Sequence, residues 1–281
     1  MLLPAILILG LLFGGGLAMA LVQSLGDFPP IGEHHFTPAH YRALLSDPEL
    51  RISIAITFLW ATIATGLSAA GGFALAFAFR GLARGSRFLS ACLQTTVAIP
   101  HLAMAVFLVN VIGQSGLASR AAYFMGLIQV PAEFPILVND RNGAGIVIAY
   151  ALKETPFIAL VILAMLRRTA GEYELAAATL GASPWQRFRY VTLPLVAPSA
   201  VSASLLVFAF IFGAFEVPYI LGRPYPAMAG VVAQRRFLSM DLTDRPDAIA
   251  LAVLVTAVSA LLVFVYLRLG RKLIGERPTL F

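Results

Sequence analysis

The sequence predicts an all-α integral membrane protein of six transmembrane helices, with a helix-turn-helix inserted between the fourth and the fifth. Three observations carry that expectation. Of 281 residues, 59% are hydrophobic and only 12% are charged, about half the charged share of an ordinary soluble domain. Six apolar runs reach or exceed about 20 residues, the length that crosses a bilayer. A single polar stretch, Glu172 to Pro198, breaks that pattern with two short helical segments.

The first run, Leu2 to Leu21, is long enough to span. A removed signal peptide competes with this, because Ala18-Met19-Ala20 looks like a cleavage site. Against it, the run lacks a basic leading segment and its apolar part is too long. Gly26 to Leu50, with Asp27, Pro29, Pro30 and Glu33, reads as an external loop. His34, His35 and His40 in that loop have no cysteine or acidic ligand at fixed spacing, so they read as solvated and no metal site is expected.

The second span is Ile52 to Phe79. Ala64, Ser68, Gly72 and Ala76 recur every four positions and form a ridge along which another helix can approach closely. Arg80, Arg84 and Arg87 make a short basic turn. The third span is Phe88 to Ile112, where Pro100 predicts a kink and a freed carbonyl in need of a partner. His101 and Asn110 are polar groups at membrane depth, readable as packing groups or as pathway lining. Gly113 to Gly143 is a second outer segment with an interfacial stretch at Ala121 to Val130.

The fourth span, Ala144 to Leu166, ends at Arg167-Arg168 and contains Lys153-Glu154. Ten residues from its start, this pair lies about 15 Å deep, near the bilayer middle. Adjacent residues diverge on a helix, so each charge needs a partner elsewhere. Intramembrane charge marks either a functional pathway or an interhelical ion pair. The fifth span is Ala197 to Leu221, with Glu216 near its outer end, in a vestibule or capping a neighbour. The sixth is Ala248 to Leu267, after a third outer segment, Gly222 to Asp247. A basic tail, Arg268 to Phe281, follows.

Charge sets the orientation. With the N-terminus inside, the inner segments hold eleven basic and three acidic residues, and the outer segments eight and nine. The basic excess predicts cytoplasmic N- and C-termini and a cytoplasmic 172–198 stretch. Because the net charge of +6 sorts by membrane side, a nucleic-acid partner is not expected. Cys92 is the single cysteine, so no internal disulfide forms, and no G-x-x-x-x-G-K-[ST] phosphate loop occurs. Any ATP must be bound by another chain.

Within the polar stretch, Glu172 to Leu180 favours a short helix with acids in its first turn. Gly181 ends it. Ser183 as N-cap, Pro184 at the first helical position and Gln186 completing a capping box start a second helix at once, and Pro194 is expected to stop it.

Ala176, Ala177, Leu180, Gly181, Ala182, Phe188, Val191, Leu193 and Pro194 fall at the spacing of the "EAA" loop. The chain thereby resembles the permease subunits of binding-protein-dependent ABC importers of type I. The length, HFTPAHYRALLSDPEL after the first span and FEVPYILGRPYP after the fifth look most like the polyamine, thiamine, iron and phosphonate permeases. One position departs: the family's glutamate, six residues before the glycine, is Leu175 here, and Glu174 sits one place earlier, about 100° around the helix.

The resemblance implies one permease domain over 1–281, with 1–25 as a first helix and 51–272 as a five-helix core that includes the loop 170–198. It implies two cytoplasmic ATPase subunits carrying ATP and Mg, a second permease subunit, identical or related, and an external binding protein that delivers a small solute. Translocation is expected at a bacterial-type inner membrane, without enzymatic activity or a cofactor in this chain. The implied coupling residues are Glu174, Ala176, Ala177, Leu180, Gly181, Ala182, Phe188 and Pro194. His101, Asn110, Lys153, Glu154 and Glu216 are the candidate solute pathway. A secondary transporter using Lys153, Glu154 and Glu216 is the alternative, although no repeat relates the two halves.

Overall fold

A computed structural model describes residues 3–79, 87–166 and 171–275. The expected basic turn at Arg80 and Arg84, the Arg167-Arg168 pair and the tail beyond Gly275 lie outside the described residues. Among the described residues, six helical stretches are long and apolar enough to cross a membrane.

The first span is α1 (Leu3–Ser24). The loop behind it is ordered by a two-residue antiparallel pair, β1 (Asp27–Phe28) with β2 (Glu33–His34), and by α2 (Ala39–Ser46). The second span, α3 (Pro48–Phe79), begins four residues before the expected Ile52. The Asp47 carboxylate accepts from the Glu49 N–H at 2.9 Å, and Pro48 tolerates the first helical position, so the helix starts outside the apolar run.

The third span departs from expectation. Pro100 does more than kink it: α4 (Arg87–Ala98) stops, and α5 (His101–Ile112) starts afresh with Pro100 as N-cap. A turn at 113–116 then leads into α6 (Leu117–Phe124), so the stretch long and apolar enough to span is His101–Phe124, and α6 overlaps the first residues of the Ala121 to Val130 stretch.

The fourth span, α7 (Ala144–Met165), lies centrally. Buried Asp140 caps it, accepting from the N–H groups of Asn142 at 2.8 Å and Ala144 at 3.0 Å, donors that a helix start otherwise leaves orphaned. The small-residue ridge of α3 packs on α7 as its spacing predicts. Ala64, Ser68 and Ala76 are fully buried, and a Cβ at Gly72 would come within 2.7 Å of the Ile158 side chain.

Then follow α8 (Gly171–Thr179), α9 (Pro184–Arg187) and α10 (Leu193–Gly213). Pro194 does not stop the second hook helix. A π-helical turn, Phe188–Thr192, joins α9 to α10, so the helical stretch runs from Pro184 to Gly213. The wider turn accommodates the N–H that Pro194 lacks. At the far end α10 stops at Gly213, short of the expected Leu221, and α11 (Glu216–Leu221) is a separate helix.

The remaining elements are α12 (Ala229–Phe237) and α13 (Asp244–Gly275). Met228 gives α12 no side-chain cap; the buried hydroxyl of Thr57 on α3 does so, accepting from the Ala229 N–H at 2.9 Å. Arg236 bridges Asp47 at 3.0 Å and Asp247 at 3.9 Å. His40 is not a solvated loop histidine: its Nδ1 lies 2.7 Å from the Asp247 carboxylate, because α2 folds back onto α13. Among the described residues no group of histidine, cysteine or acidic side chains forms a metal site.

Candidate functional site

The 171–198 stretch is a hook built by two capping devices. At the end of α8, the Ala182 N–H donates to Ala177 O and the Gly181 N–H to Ala178 O, both at 3.0 Å, with Gly181 at φ 83°. This is a Schellman closure, and its left-handed residue favours glycine. Ser183 and Gln186 then form the expected reciprocal capping box: Gln186 N–H to Ser183 Oγ at 3.3 Å, Ser183 N–H to Gln186 Oε1 at 2.8 Å.

The hook presents apolar side chains outward. Leu180 is 88% exposed, Leu175 70% and Trp185 68%, with Tyr190 also exposed. Its inner side is anchored. Phe188 meets Phe77 of α3 edge to face at 5.1 Å between centroids, Trp185 lies 5.5 Å from Phe188, and Phe77 stacks with Phe73. These rings border an apolar cleft of about 570 Å³ between α3 and the hook. Glu174 and Leu175 face differently, as 100° of rotation requires. Glu174 turns inward and accepts the hydroxyl hydrogen of buried Thr192 in the π-helical turn, while Leu175 points out.

Of the expected pathway residues, three form one cluster around the Pro100 break. Lys153 and Glu154 are 4% and 8% exposed, and each finds its partner across the Pro100 break. Lys153 Nζ donates to Val97 O at 2.8 Å, at the end of α4. Glu154 Oε1 lies 2.7 Å from His101 Nε2, at the start of α5. The carbonyl that Pro100 frees by lacking an N–H is that of Thr96, four residues back; the one the ammonium satisfies is its neighbour Val97 O, left open because α4 ends at Ala98. His101 packs against Phe210 of α10, with ring centroids 4.5 Å apart, and 6.4 Å from Tyr150.

Asn110 lies outside that cluster, whereas Glu216 on α11 is near enough to Tyr150 for its charge to act on the phenol. The Asn110 amide donates to Val106 O of its own helix at 2.9 Å and borders a cavity of about 580 Å³ with Gln114 and Arg120. Glu216 is exposed in the first turn of α11. Sequence reasoning missed Tyr150 and Phe210. Tyr150 precedes Glu154 by four positions and so shares its helix face, which is the signal that places it at the cluster; Phe210 carries none.

The family model described as "Binding-protein-dependent transport system inner membrane component" matches residues 63–275. The chain is 28% identical over 243 residues to the sulfate transport system permease protein CysT of Escherichia coli K12, covering 85% of this chain and 84% of that one. It is 31% identical over 177 residues to the spermidine/putrescine transport system permease protein PotB of Haemophilus influenzae, covering 63% and 58%. In fold it is similar to a chain of a bacterial alginate ABC transporter crystallised with an alginate pentasaccharide-bound periplasmic protein. The TM-score is 0.77 at 19% identity, over 97% of this chain and 93% of that one.

Proposed function

Because the chain belongs to the binding-protein-dependent transport system inner membrane components, the permease subunits of ABC importers, we propose that its 172–198 hook is the element through which a separate ATPase drives it. The family is one of membrane translocation subunits, so the chain moves a solute and is not itself an enzyme.

In this reading the N- and C-termini and the hook are cytoplasmic, two such permease domains pair, and two ATPase subunits dock on the hooks. Closure of the ATPase dimer on ATP carries the hook with it. Capped at Ser183 and closed at Gly181, the hook moves as a rigid piece, and the continuous helical stretch from Pro184 to Gly213 passes the displacement into the membrane. The differential docking contact biases inward-facing against outward-facing states. Ala176, Ala177, Leu180, Gly181, Ala182, Phe188 and Pro194 take part in this coupling. Glu174 contributes by holding Thr192 inside the hook.

The observation that carries the reading is the outward apolar surface of Leu175, Leu180 and Trp185 on a polar, rigidly capped loop. An unpartnered apolar face of this kind marks a protein contact. Leu175, standing where the family has glutamate, makes that contact apolar in place of an ion pair. The solute is not assigned: the names of the similar proteins give sulfate and the acidic polysaccharide alginate, which are anions, and spermidine/putrescine, which are cations. His101, Lys153 and Glu154 join α4, α5 and α7 beside the pathway, while Asn110 and Glu216 line its outer end.

The test is labelling of a cysteine at position 185 from either side of sealed vesicles, together with copurification of an ATPase subunit. Labelling from the outside, or ATP-independent uptake by the purified chain, would overturn the proposal.

A further inference from the structure

Two cavities meet at the start of α6 and have Ser115 and Arg120 in common in their walls. The larger, about 580 Å³, adds Asn110 from the end of α5 and Gln114 from the turn after it. The smaller, about 400 Å³, adds Ser119 and Tyr123 from α6. Both volumes fall in the range of ligand sites, about 300–1,000 Å³. Asn110 lies nine residues beyond His101 on α5, about 13.5 Å along the helix at 1.5 Å per residue. The junction of the cavities is therefore a separate place from the His101 cluster.

Arg120 sets the sign of this junction. It is exposed, and its Nε donates to Ser115 O at 3.2 Å, which holds the guanidinium against the wall common to both cavities. Among the described residues no carboxylate pairs with it, and no acidic side chain lines either cavity. Glu133, the acid closest to it in the chain, is engaged by the Gln129 N–H at 2.6 Å. Glu216 is exposed as well, but it lines neither cavity. The carbonyl end of α5 and the N–H end of α6 meet at the turn between them, where their opposite partial charges offset. The neighbouring polar groups can donate: the Asn110 and Gln114 amides each give one N–H to a backbone carbonyl and keep a second, and Ser115 and Tyr123 add hydroxyls. A guanidinium fork surrounded by such donors matches the oxygens of a sulfate, phosphate or carboxylate group.

We propose that Arg120 binds an oxyanion at the junction of the two cavities, and that this oxyanion is the charged group of the solute. The inference rests on the permease reading, in which Asn110 lines the outer end of the pathway, and it gives the solute a negative charge. The terminal nitrogens of Arg120 engage two of the oxygens, and Ser115 and the two amides complete the shell. A lipid headgroup phosphate carries the same chemistry, and the experiment separates the two sources.

The experiment follows thermal melting of the full chain, with whatever partners it retains, in lipid-free maltoside as sodium sulfate replaces sodium chloride at constant ionic strength. A ligand bound by the folded state alone raises the melting temperature as its concentration rises. The sulfate concentration that gives a set rise should increase about tenfold in Arg120→Gln, as expected for loss of a charge-assisted contact. Arg120→Lys, which keeps the charge without the fork, should fall between. Ser115→Trp fills the common wall at unchanged charge and should lose the effect, which separates a site from the general stabilisation that sulfate gives any folded chain. An equal response of wild type and Arg120→Gln overturns the proposal, and stabilisation by spermidine in place of sulfate overturns the sign. Abolition of the sulfate response by phosphatidylglycerol at equal concentration makes this a headgroup site and overturns the solute assignment, whereas its persistence supports it. The measurement needs neither an ATPase nor a membrane side, so a negative result leaves the coupling reading standing, and outside labelling at position 185 leaves the sulfate result standing.

Discussion

Lys153 Nζ lies 2.8 Å from the carbonyl oxygen of Val97, so a buried ammonium closes the end of the helix that Pro100 interrupts. The C-terminal carbonyls of a helix carry partial negative charge and attract a cation. In hydrocarbon no water replaces that bond. The neighbouring Glu154 holds His101 on the other side of the break, and α7 thereby pins α4 and α5 together.

A structural clamp and a solute site respond differently to mutation. Lys153→Met leaves Val97 unpaired and should lower the unfolding free energy of the purified chain by about 1.5–3 kcal/mol, the worth of a charged hydrogen bond. Glu154→Gln keeps a partner for His101 and should cost less than Glu154→Leu. Thermal melting in detergent beside uptake assays checks this. An unchanged melting temperature for Lys153→Met with an altered uptake KM would assign the pair to the solute instead.

Gly181 tests the hook as a coupling element. At φ 83° it has open space around its α-carbon, so a side chain there is opposed by backbone strain alone. Gly181→Val forces a β-branched residue into the left-handed region at a cost of about 1–3 kcal/mol, whereas Gly181→Asn is tolerated there. In reconstituted vesicles the valine variant should insert and bind the ATPase but hydrolyse ATP without proportionate uptake, and the asparagine variant should remain coupled. Normal uptake per ATP by Gly181→Val would remove the rigid-hook mechanism.

The contact expected at Leu180 is apolar. Covering this side chain on docking is worth about 1.5–3 kcal/mol, so Leu180→Asp should weaken ATPase binding about ten- to a hundredfold. Leu175→Glu restores the acid common to the family and should leave binding weakly affected if a basic group faces it, or weaken it comparably if the partner surface is apolar. Affinity measured by retention of the ATPase on immobilised permease distinguishes these outcomes.

Much of this was legible in local pattern. Hydrophobic runs located the spans, the four-residue ridge from Ala64 to Ala76 identified the face that meets α7, and Ser183, Gln186 and Gly181 specified the hook's closures. What escaped is what local pattern does not encode. Pro194 reads as a stop, yet the π-helical turn at Phe188–Thr192 absorbs its missing donor. Pro100 reads as a kink, yet the helix breaks: Lys153, 56 residues away, closes the Val97 carbonyl at the end of α4, and Glu154, 53 residues away, holds the His101 side chain at the start of α5. His40 reads as solvated because its partner, Asp247, is 207 residues away.

Thr57 provides the sharpest test of such a long-range bond. Its hydroxyl accepts the Ala229 N–H at 2.9 Å and donates to Ser53 O at 2.6 Å, and Thr57 is fully buried. Thr57→Val keeps the shape but orphans a buried N–H at the start of α12, which costs about 1–3 kcal/mol. Thr57→Ser retains the hydroxyl and loses a methyl group, so its cost is the smaller packing loss of about 1 kcal/mol. Chemical unfolding of the two variants in the same detergent should therefore rank serine above valine. A valine variant as stable as wild type would mean that the Ala229 N–H finds another acceptor and that α3 does not cap α12.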